Sequence, residues 1–196
     1  MSFKKNKYQV IRHAVAYMVQ NNIINKHNPL VGNWEDKQVP NAYSKYGDWV
    51  METLLQYVRP IMKEKTKLDL IPTYSYARIY NKGNILKRHK DRPSCEISTT
   101  INLGGNHWSI YLDPTGQDTV IDEYKNIHKP NAPKGIKVDL QQGDMLIYSG
   151  CELEHWREPF TGDFCVQVFL HYNHANGKFG NNNLFDKRPM LGIPKL

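Results

Sequence analysis

The sequence predicts a mainly β fold, a sandwich or barrel, with helices at its N-terminal end. Two observations lead to this prediction. Apolar residues recur at helical spacing as far as residue 66, and beyond it short alternating segments are separated by turns rich in Gly, Pro, Asn and Asp. A chain of 196 residues can bury one sizeable core. We therefore expect a single domain, with helical support over 1–67, a β core over 68–173 and a C-terminal tail over 174–196.

Two amphipathic helices are predicted before the β region. The first covers 7–24, where the apolar residues lie on one helical face. The segment 28–48 is rich in Pro, Asn, Gly and Tyr, shows no period and is predicted as a loop. Asp48 suits the N-cap of the second helix, which Pro60 is expected to kink or shorten. The apolar stripe of this helix consists of Val50, Met51, Leu54, Leu55, Val58 and Ile61.

The β region begins with strands predicted at 68–71 and 73–80. Residues that alternate along a strand share one of its faces. In the second strand, this alternation groups three tyrosines and an arginine, namely Tyr74, Tyr76, Arg78 and Tyr80. Further strands are predicted at 96–103, 108–112, 136–139, 144–149 and 164–172.

Charge and cysteine content restrict the setting of the protein. The formal charge of +7 permits acidic partners without identifying one. Its five basic residues over 82–92 would bias a nearby cleft toward anions, although solvated charge also explains them. The three cysteines are an odd number in a chain too large to need disulfides, which favours free thiols in a reducing compartment, and they lack the paired spacing of a zinc knuckle. With no membrane-spanning or secretory segment, we expect a cytoplasmic location, in the host cell if the chain is viral.

A candidate metal site begins with His89 and Asp91. These residues are two positions apart, so an extended backbone directs both side chains to one face, where a third ligand from a distant strand can join them. Two imidazoles and one carboxylate, with open positions on the metal, are the ligand set of non-haem Fe(II) oxygenases. A His-x-Asp match alone has little weight, because a chain with eight histidines and nineteen acids contains about one His-x-acid match by chance.

The neighbouring sequence adds weight to this pair. Tyr80 and Gly83 precede it and complete the pattern Tyr-x-x-Gly-x-x-Leu-x-x-His-x-Asp. Downstream, the segment 143–148 is predicted to start a strand, and His155 follows this strand after a short turn. Four further histidines are available as alternative ligands, but each is more often a surface or satisfied core histidine, because a metal needs three converging groups: His107, His128, His171 and His174.

These residues resemble the 2-oxoglutarate and Fe(II)-dependent dioxygenases, in particular the prolyl-4-hydroxylase-like branch and its bacterial and phage relatives. The resemblance covers about half of the chain, over 74–172, and includes Gly-Cys-Glu-Leu-Glu-His-Trp-Arg at 150–157. It implies a double-stranded β-helix, or jelly roll, packed by helices. It also implies Fe(II) on His89, Asp91 and His155, with 2-oxoglutarate and O2 as cosubstrates and ascorbate as an optional further cofactor. Tyr80 takes the position of a tyrosine that commonly contacts 2-oxoglutarate.

The chain departs from this family on the last strand. The family usually offers an arginine or lysine there for the distal carboxylate of 2-oxoglutarate, whereas this chain has Cys-Val-Gln-Val at 165–168. Because a buried carboxylate without a partner is unfavourable, another residue must take this role. We favour Arg78, which shares a strand face with Tyr80, over Arg157, with Gln167 as a neutral helper. The alternative is a cosubstrate other than 2-oxoglutarate.

The resemblance implies hydroxylation of a C–H bond with release of succinate and CO2. The expected substrate is a protein, a peptide or an amino-acid side chain, with proline as one candidate. A second hypothesis is a nucleic-acid-modifying oxygenase of the AlkB type, because Arg78-Ile79-Tyr80 lies where those enzymes carry Asn-x-Tyr. No interleaving of aromatic and basic residues supports it. A third is a non-catalytic jelly-roll module, or a cupin-like protein holding zinc or manganese with the same ligands.

Overall fold

A computed structural model describes residues 30–193, together with Tyr17, Gln20 and Asn21. The first predicted helix, over 7–24, lies outside the described residues except at those three positions. Within the described part of the chain, no helix combines the length and hydropathy needed to cross a membrane.

The second predicted helix is present as α1, Trp49–Thr66. Asp48 caps it by accepting hydrogen bonds from the amides of Val50 and Met51 at 3.1 and 3.2 Å. The prediction that Pro60 would shorten the helix is wrong, since the helix continues to Thr66. Pro60 lies on the solvent side, where water can satisfy the backbone carbonyl that lacks an N–H partner.

The buried face of α1 differs in part from the predicted stripe. Val50 and Ile61 are 48% and 43% exposed, so the prediction that they belong to the core face is wrong. Both lie beside that face, and the helix turns them to solvent. The side chains that pack against the large sheet are Met51, Leu55, Val58 and Met62.

Eleven strands occur in the described residues. They are β1 Tyr43–Tyr46, β2 Leu70–Asn81, β3 Leu86–His89, β4 Ile97–Gly105, β5 Ile110–Leu112, β6 Val120–Asp122, β7 Ile127–His128, β8 Ile136–Val138, β9 Met145–Tyr148, β10 His155–Arg157 and β11 Phe164–His174. The large sheet has the order β1-β2-β11-β4-β9, and the small sheet has the order β3-β10-β5-β8. Strands β6 and β7 form a separate hairpin. The paired strands in these sheets are antiparallel, as a double-stranded β-helix requires.

The predicted strands omit five short ones, β1, β3, β6, β7 and β10, and divide β2 in two. The predicted loop 28–48 is wrong at its end, because β1 lies there and pairs with β2, Tyr43 opposite Ile79. Its partner is distant in sequence, so no local period marks it. The strands predicted at 68–71 and 73–80 are a single strand, β2, that contains Pro72.

The alternation predicted for β2 positions the functional residues. On its outer face, Ala77 and Ile79 join the core beneath α1 with Val168 and Leu170 of β11. The inner face points between the two sheets, where Tyr80 packs against Trp108 with ring centroids 4.7 Å apart. Beyond β11, a 3-10 segment follows at Gly180–Lys187, and its Asp186 accepts a hydrogen bond from the hydroxyl of Tyr46 on β1 at 2.7 Å.

Candidate metal centre

The first and last predicted ligands lie side by side on the small sheet. His89 ends β3 and His155 begins β10, and the two residues are paired across these strands with ring centroids 4.3 Å apart. Asp91 follows β3 and lies between them. Its Oδ1 is 3.4 Å from Nε2 of His89, and its Oδ2 is 3.6 Å from Nε2 of His155. The structure therefore brings together the three residues that the sequence predicts.

Backbone carbonyl groups fix the orientation of both imidazoles. His89 Nδ1 donates to the carbonyl of Lys87 at 2.7 Å, and His155 Nδ1 donates to the carbonyl of Leu153 at 3.0 Å. Each ring therefore directs Nε2 at Asp91 and at the space between the three residues. Ligand bonds of about 2.0–2.2 Å place neighbouring donor atoms about 3.0–3.5 Å apart. The observed separations fit one ion with small adjustments.

The electrostatics favour an ionised carboxylate at this centre. Burial would raise the pKa of Asp91, but His155 and His89 outweigh it and hold this pKa well below its usual range. Burial would likewise lower the pKa of His89, but the hydrogen bond and charge of Asp91 raise it. A dication at the centre therefore meets a carboxylate that is already negative.

Gly150 supports Asp91 from behind. The amide of Asp91 donates to the Gly150 carbonyl at 2.9 Å. A Cβ at position 150 would lie 2.8 Å from Asp91 Oδ2 and 2.4 Å from the carbonyl oxygen of Cys95. Any side chain at this position would therefore push the carboxylate out of place.

A cavity of about 210 Å³ opens on the metal centre. The large sheet contributes polar and aromatic side chains to its wall, among them Tyr74, Tyr76, Arg78, Tyr148, Phe169 and His171. The segment 36–38 contributes Asp36 and Gln38, which the sequence did not identify because a loop without a period carries no signal for contacts across the fold. The five basic residues over 82–92 do not line this cavity, but Arg92 lies over the ring of Tyr74, which does, so the expected bias toward anions stays a prediction.

Arg78 is buried in the cavity wall and already has an anionic partner. Its guanidinium forms an ion pair with Asp36 and lies 3.3 Å from Oε1 of Gln38 through both Nη atoms. Nη1 is also 3.3 Å from the hydroxyl of Tyr80, while Nε has no partner. Burial opposes its charge, but the neighbouring tyrosine hydroxyls and Asp36 outweigh burial and raise the pKa of Arg78.

Arg157 is buried without an anionic partner. It is 1% exposed, and it donates to the carbonyl of Trp108 and, at 3.4 Å, to Oγ1 of Thr100. Its Nε has no partner, and none of the described carboxylates pairs with it. Burial lowers the pKa of Arg157, because only the neighbouring tyrosines and Cys165 oppose the loss of hydration.

Tyr80 lies next to both guanidinium groups, whereas Gln167 is occupied. The ring of Tyr80 lies under Arg78, and its hydroxyl interacts electrostatically with Arg157. Gln167 accepts from Thr100 at 3.0 Å and donates to Cys165 Sγ at 3.1 Å. Neither Tyr80 nor Gln167 nor Arg157 lines the cavity, so among the four predicted cosubstrate residues Arg78 is the one that shares this cavity with the metal centre.

The remaining histidines separate into two groups. His107 faces Asp139 at the surface, His128 is exposed and His174 is half-buried. His171 is buried in β11 and lines the cavity, where it forms a second group of potential ligands with Asp91 and Cys95. All three cysteines are free, as the sequence predicts.

Comparison with solved structures identifies the fold. No protein-family model and no curated protein sequence matches the chain. AviO1 from Streptomyces viridochromogenes is 13% identical, covers 100% of this chain and 89% of its own, and has a TM-score of 0.57. HygX from Streptomyces hygroscopicus, with nickel, 2-oxoglutarate and hygromycin B bound, is 12% identical over 74% of each chain, with a TM-score of 0.56.

A third similar structure is SnoK, a non-haem α-ketoglutarate-dependent carbocyclase from nogalamycin biosynthesis. It is 12% identical, covers 100% of this chain and 86% of its own, and has a TM-score of 0.56. These proteins share the antiparallel two-sheet architecture rather than the sequence. The chain therefore has the jelly-roll fold of the 2-oxoglutarate and Fe(II)-dependent oxygenases, as the sequence predicts.

Proposed function

We propose that this protein is a 2-oxoglutarate and Fe(II)-dependent oxygenase that hydroxylates a C–H bond. The expected substrate is a side chain of a protein, a peptide or a free amino acid. One observation carries the proposal: the set His89, Asp91 and His155 opens into a cavity that is lined by the buried guanidinium of Arg78. Tyr80 lies next to Arg78 and to Arg157, which is buried without a carboxylate partner among the described residues.

The proposed metal ligands are His89, Asp91 and His155. Their donor set, two imidazoles and one carboxylate, suits Fe(II) and leaves positions free on the ion. Carbonyl groups hold both rings with Nε2 inward, so the set needs little rearrangement. When bound, Fe(II) and 2-oxoglutarate supply, with O2, the oxidising power for hydroxylation, and 2-oxoglutarate is converted to succinate and CO2.

Charge balance favours a carboxylate ligand beside Tyr80. Arg78 and Arg157 contribute two positive charges to this region, and Asp36 contributes one negative charge. An unpaired charge inside a protein is costly, so the region lacks one anion. The distal carboxylate of 2-oxoglutarate would supply it. In this arrangement Arg78 and Tyr80 bind the carboxylate, Arg157 balances its charge and Gln167 supports the wall.

Gln38 shows how Arg78 can accept this ligand. Its neutral amide oxygen lies at 3.3 Å from both Nη atoms, on the edge of the guanidinium that a carboxylate would occupy with two hydrogen bonds. A carboxylate binds a guanidinium more strongly than an amide does, so 2-oxoglutarate would replace Gln38 there. The rest of the cavity wall, with Tyr74, Tyr76 and Phe169, then faces the substrate.

Two measurements test the proposal. Anaerobic addition of 2-oxoglutarate to the Fe(II)-loaded protein should produce the visible charge-transfer absorption of an Fe(II) keto-acid chelate. Under O2, succinate release should then be measured over peptides, free amino acids and, as a separate class, oligonucleotides. Lack of the absorption with saturating Fe(II) would contradict the cosubstrate, whereas stimulation by oligonucleotides alone would contradict the proposed substrate class.

A further inference from the structure

We propose that Asp91, Cys95 and His171 form a second metal position, suited to Zn(II), that cannot be occupied together with the triad of His89, Asp91 and His155. A donor atom from each of these three residues lies within 4.8 Å of the other two. The position itself follows from geometry alone, and its inhibitory effect rests on the proposed oxygenase function.

Three separate elements bring these ligands together. Asp91 follows β3, Cys95 ends the 3-10 turn Pro93–Cys95, and His171 lies on β11. Cys95 and His171 are buried, while Asp91 and His171 line the cavity that opens on the triad. An ion that enters the cavity can therefore reach both positions.

The hydrogen-bond network fixes the tautomer of His171. Ser98 Oγ donates its single hydrogen to the carbonyl of Cys95 at 2.9 Å. Ser98 Oγ also lies 2.9 Å from His171 Nδ1. Because its hydrogen is already used, Ser98 Oγ must accept this second hydrogen bond, so Nδ1 carries the ring proton. Nε2 of His171 is then unprotonated, with its lone pair available to a metal. Such a carbonyl or hydroxyl partner on Nδ1 is typical of metal-bound histidines.

Cys95 gives this second group a different metal preference from the triad. A thiolate is a soft ligand that selects Zn(II), whereas the triad offers only nitrogen and oxygen. The hydroxyl of Tyr74 lies 3.0 Å from Cys95 Sγ and can donate to the thiolate once the metal has displaced the thiol proton. Sulfur, nitrogen and oxygen donors would leave one position of a tetrahedral ion for water.

Both groups use the carboxylate of Asp91, so the two positions compete for it. Its oxygens lie 3.4 and 3.6 Å from Nε2 of His89 and of His155, and one of them also lies within 4.8 Å of the donor atoms of Cys95 and His171. Two dications so close together would repel strongly in a buried site. Zn(II) at the second position therefore removes the carboxylate from the triad, and Fe(II) is lost or cannot bind.

The second position can be tested with Co(II), whose bond to a thiolate gives an intense near-ultraviolet absorption. The His89→Ala/His155→Ala protein lacks the triad but retains Asp91, Cys95 and His171. Co(II) should produce the thiolate absorption in this protein. Adding Cys95→Ser should abolish it, and adding Cys165→Ser, a buried cysteine outside the group, should not. No absorption in the double variant, or absorption that survives Cys95→Ser, would overturn the proposal.

Inhibition of the intact enzyme provides a second test. Zn(II) should inhibit succinate release by the wild type at concentrations at least about tenfold lower than those needed for Cys95→Ser, because the variant retains only competition at the triad. Equal inhibition of both proteins would overturn the inhibitory role. A protein with the cobalt absorption but without 2-oxoglutarate turnover would leave the metal position intact and refute the proposed function instead.

Discussion

Both faces of the small sheet carry buried polar and charged residues, and the two faces differ in how these residues are partnered. Next to His89 and His155, which point inward, Arg88 on β3 and Glu154, just before β10, point outward. The outer pair is fully partnered, whereas His89 and His155 converge on a cavity and Arg157 leaves its Nε without a partner. One strand alternation thus produces a completed polar network on one face and an incomplete one on the other.

The outer network fixes the register of the ligand strands. Glu154 accepts from Arg88 Nε and from the amide of Thr119, both at 2.6 Å, and from the amide of Val120 at 3.0 Å. Arg88 also pairs with Asp113. Arg88 bridges the two carboxylates there, and amides and hydroxyls of the chain donate to their other oxygens, so the outer face needs no ligand. Buried charge therefore marks a binding site only where its partners are missing.

The largest effect is expected from substitutions of the proposed metal ligands on the inner face. Asp91→Ala removes the carboxylate from the triad, and His89→Ala removes one imidazole. Each substitution should abolish Fe(II)-dependent succinate release and weaken Fe(II) binding at least about tenfold. Fe(II) titration and succinate assays measure both effects. Full activity in either variant would refute the metal assignment, and unchanged far-ultraviolet circular dichroism would exclude loss of the fold.

The inner arginines should differ in their effects on stability. Both Arg78→Met and Arg157→Met should weaken 2-oxoglutarate binding by about 2–5 kcal/mol, because each leaves the distal carboxylate short of positive charge. Arg78→Met also leaves Asp36 buried without its partner and should destabilise the unliganded protein. Arg157→Met leaves no carboxylate without its partner and should therefore not lower the melting temperature. Calorimetric titration and thermal unfolding measure the two effects.

This pair of variants also separates the two candidate anchors. If Arg157→Met binds 2-oxoglutarate as tightly as the wild type, Arg78 alone holds the cosubstrate and the charge-balance explanation fails. Conversely, normal binding by Arg78→Met would assign the carboxylate to Arg157. Gln38→Ala is the matched control, since it removes a contact of Arg78 without changing charge and should leave binding unchanged or stronger.

Disrupting the polar network on the outer face should lower the stability of the protein and, through it, the affinity for Fe(II). Arg88→Met leaves Glu154 and Asp113 buried without their cation, a loss of about 3–5 kcal/mol in the free energy of unfolding. Because the same residues hold β3 against β10, Fe(II) affinity should fall about 10-fold to 100-fold. Urea unfolding and Fe(II) titration measure these changes. Lys87→Met, on the neighbouring position of β3, is the control and should have little effect.

The sequence predicts the inner face better than the outer one, for physical reasons. His89 and Asp91 follow from a two-residue spacing, and the alternation of β2 correctly places Arg78 and Tyr80 on one face. The pairing of Arg88 with Glu154 depends on strand register, which local sequence does not encode. The same holds for His171, whose approach to Asp91 needs β11, β4 and the turn Pro93–Cys95 to be assembled first.

The smallest expected effect is the acid sensitivity of the outer network. Burial would raise the pKa of Glu154, but hydrogen bonds from Thr119 and Arg88 lower it to about 2. A carboxylate with a lowered pKa adds stability that is fully present above its usual pKa of 4.5 and is lost as the pH falls through 2. The unfolding free energy of Glu154→Gln should therefore fall less steeply than that of the wild type between these values. Urea titrations across this range measure how the unfolding free energy of each protein depends on pH. Equal slopes for the two proteins would show that the partners of Glu154 do not lower its pKa. Because Gln retains the size of Glu but cannot ionise, the difference in slope isolates the ionisation of Glu154 within the completed outer network.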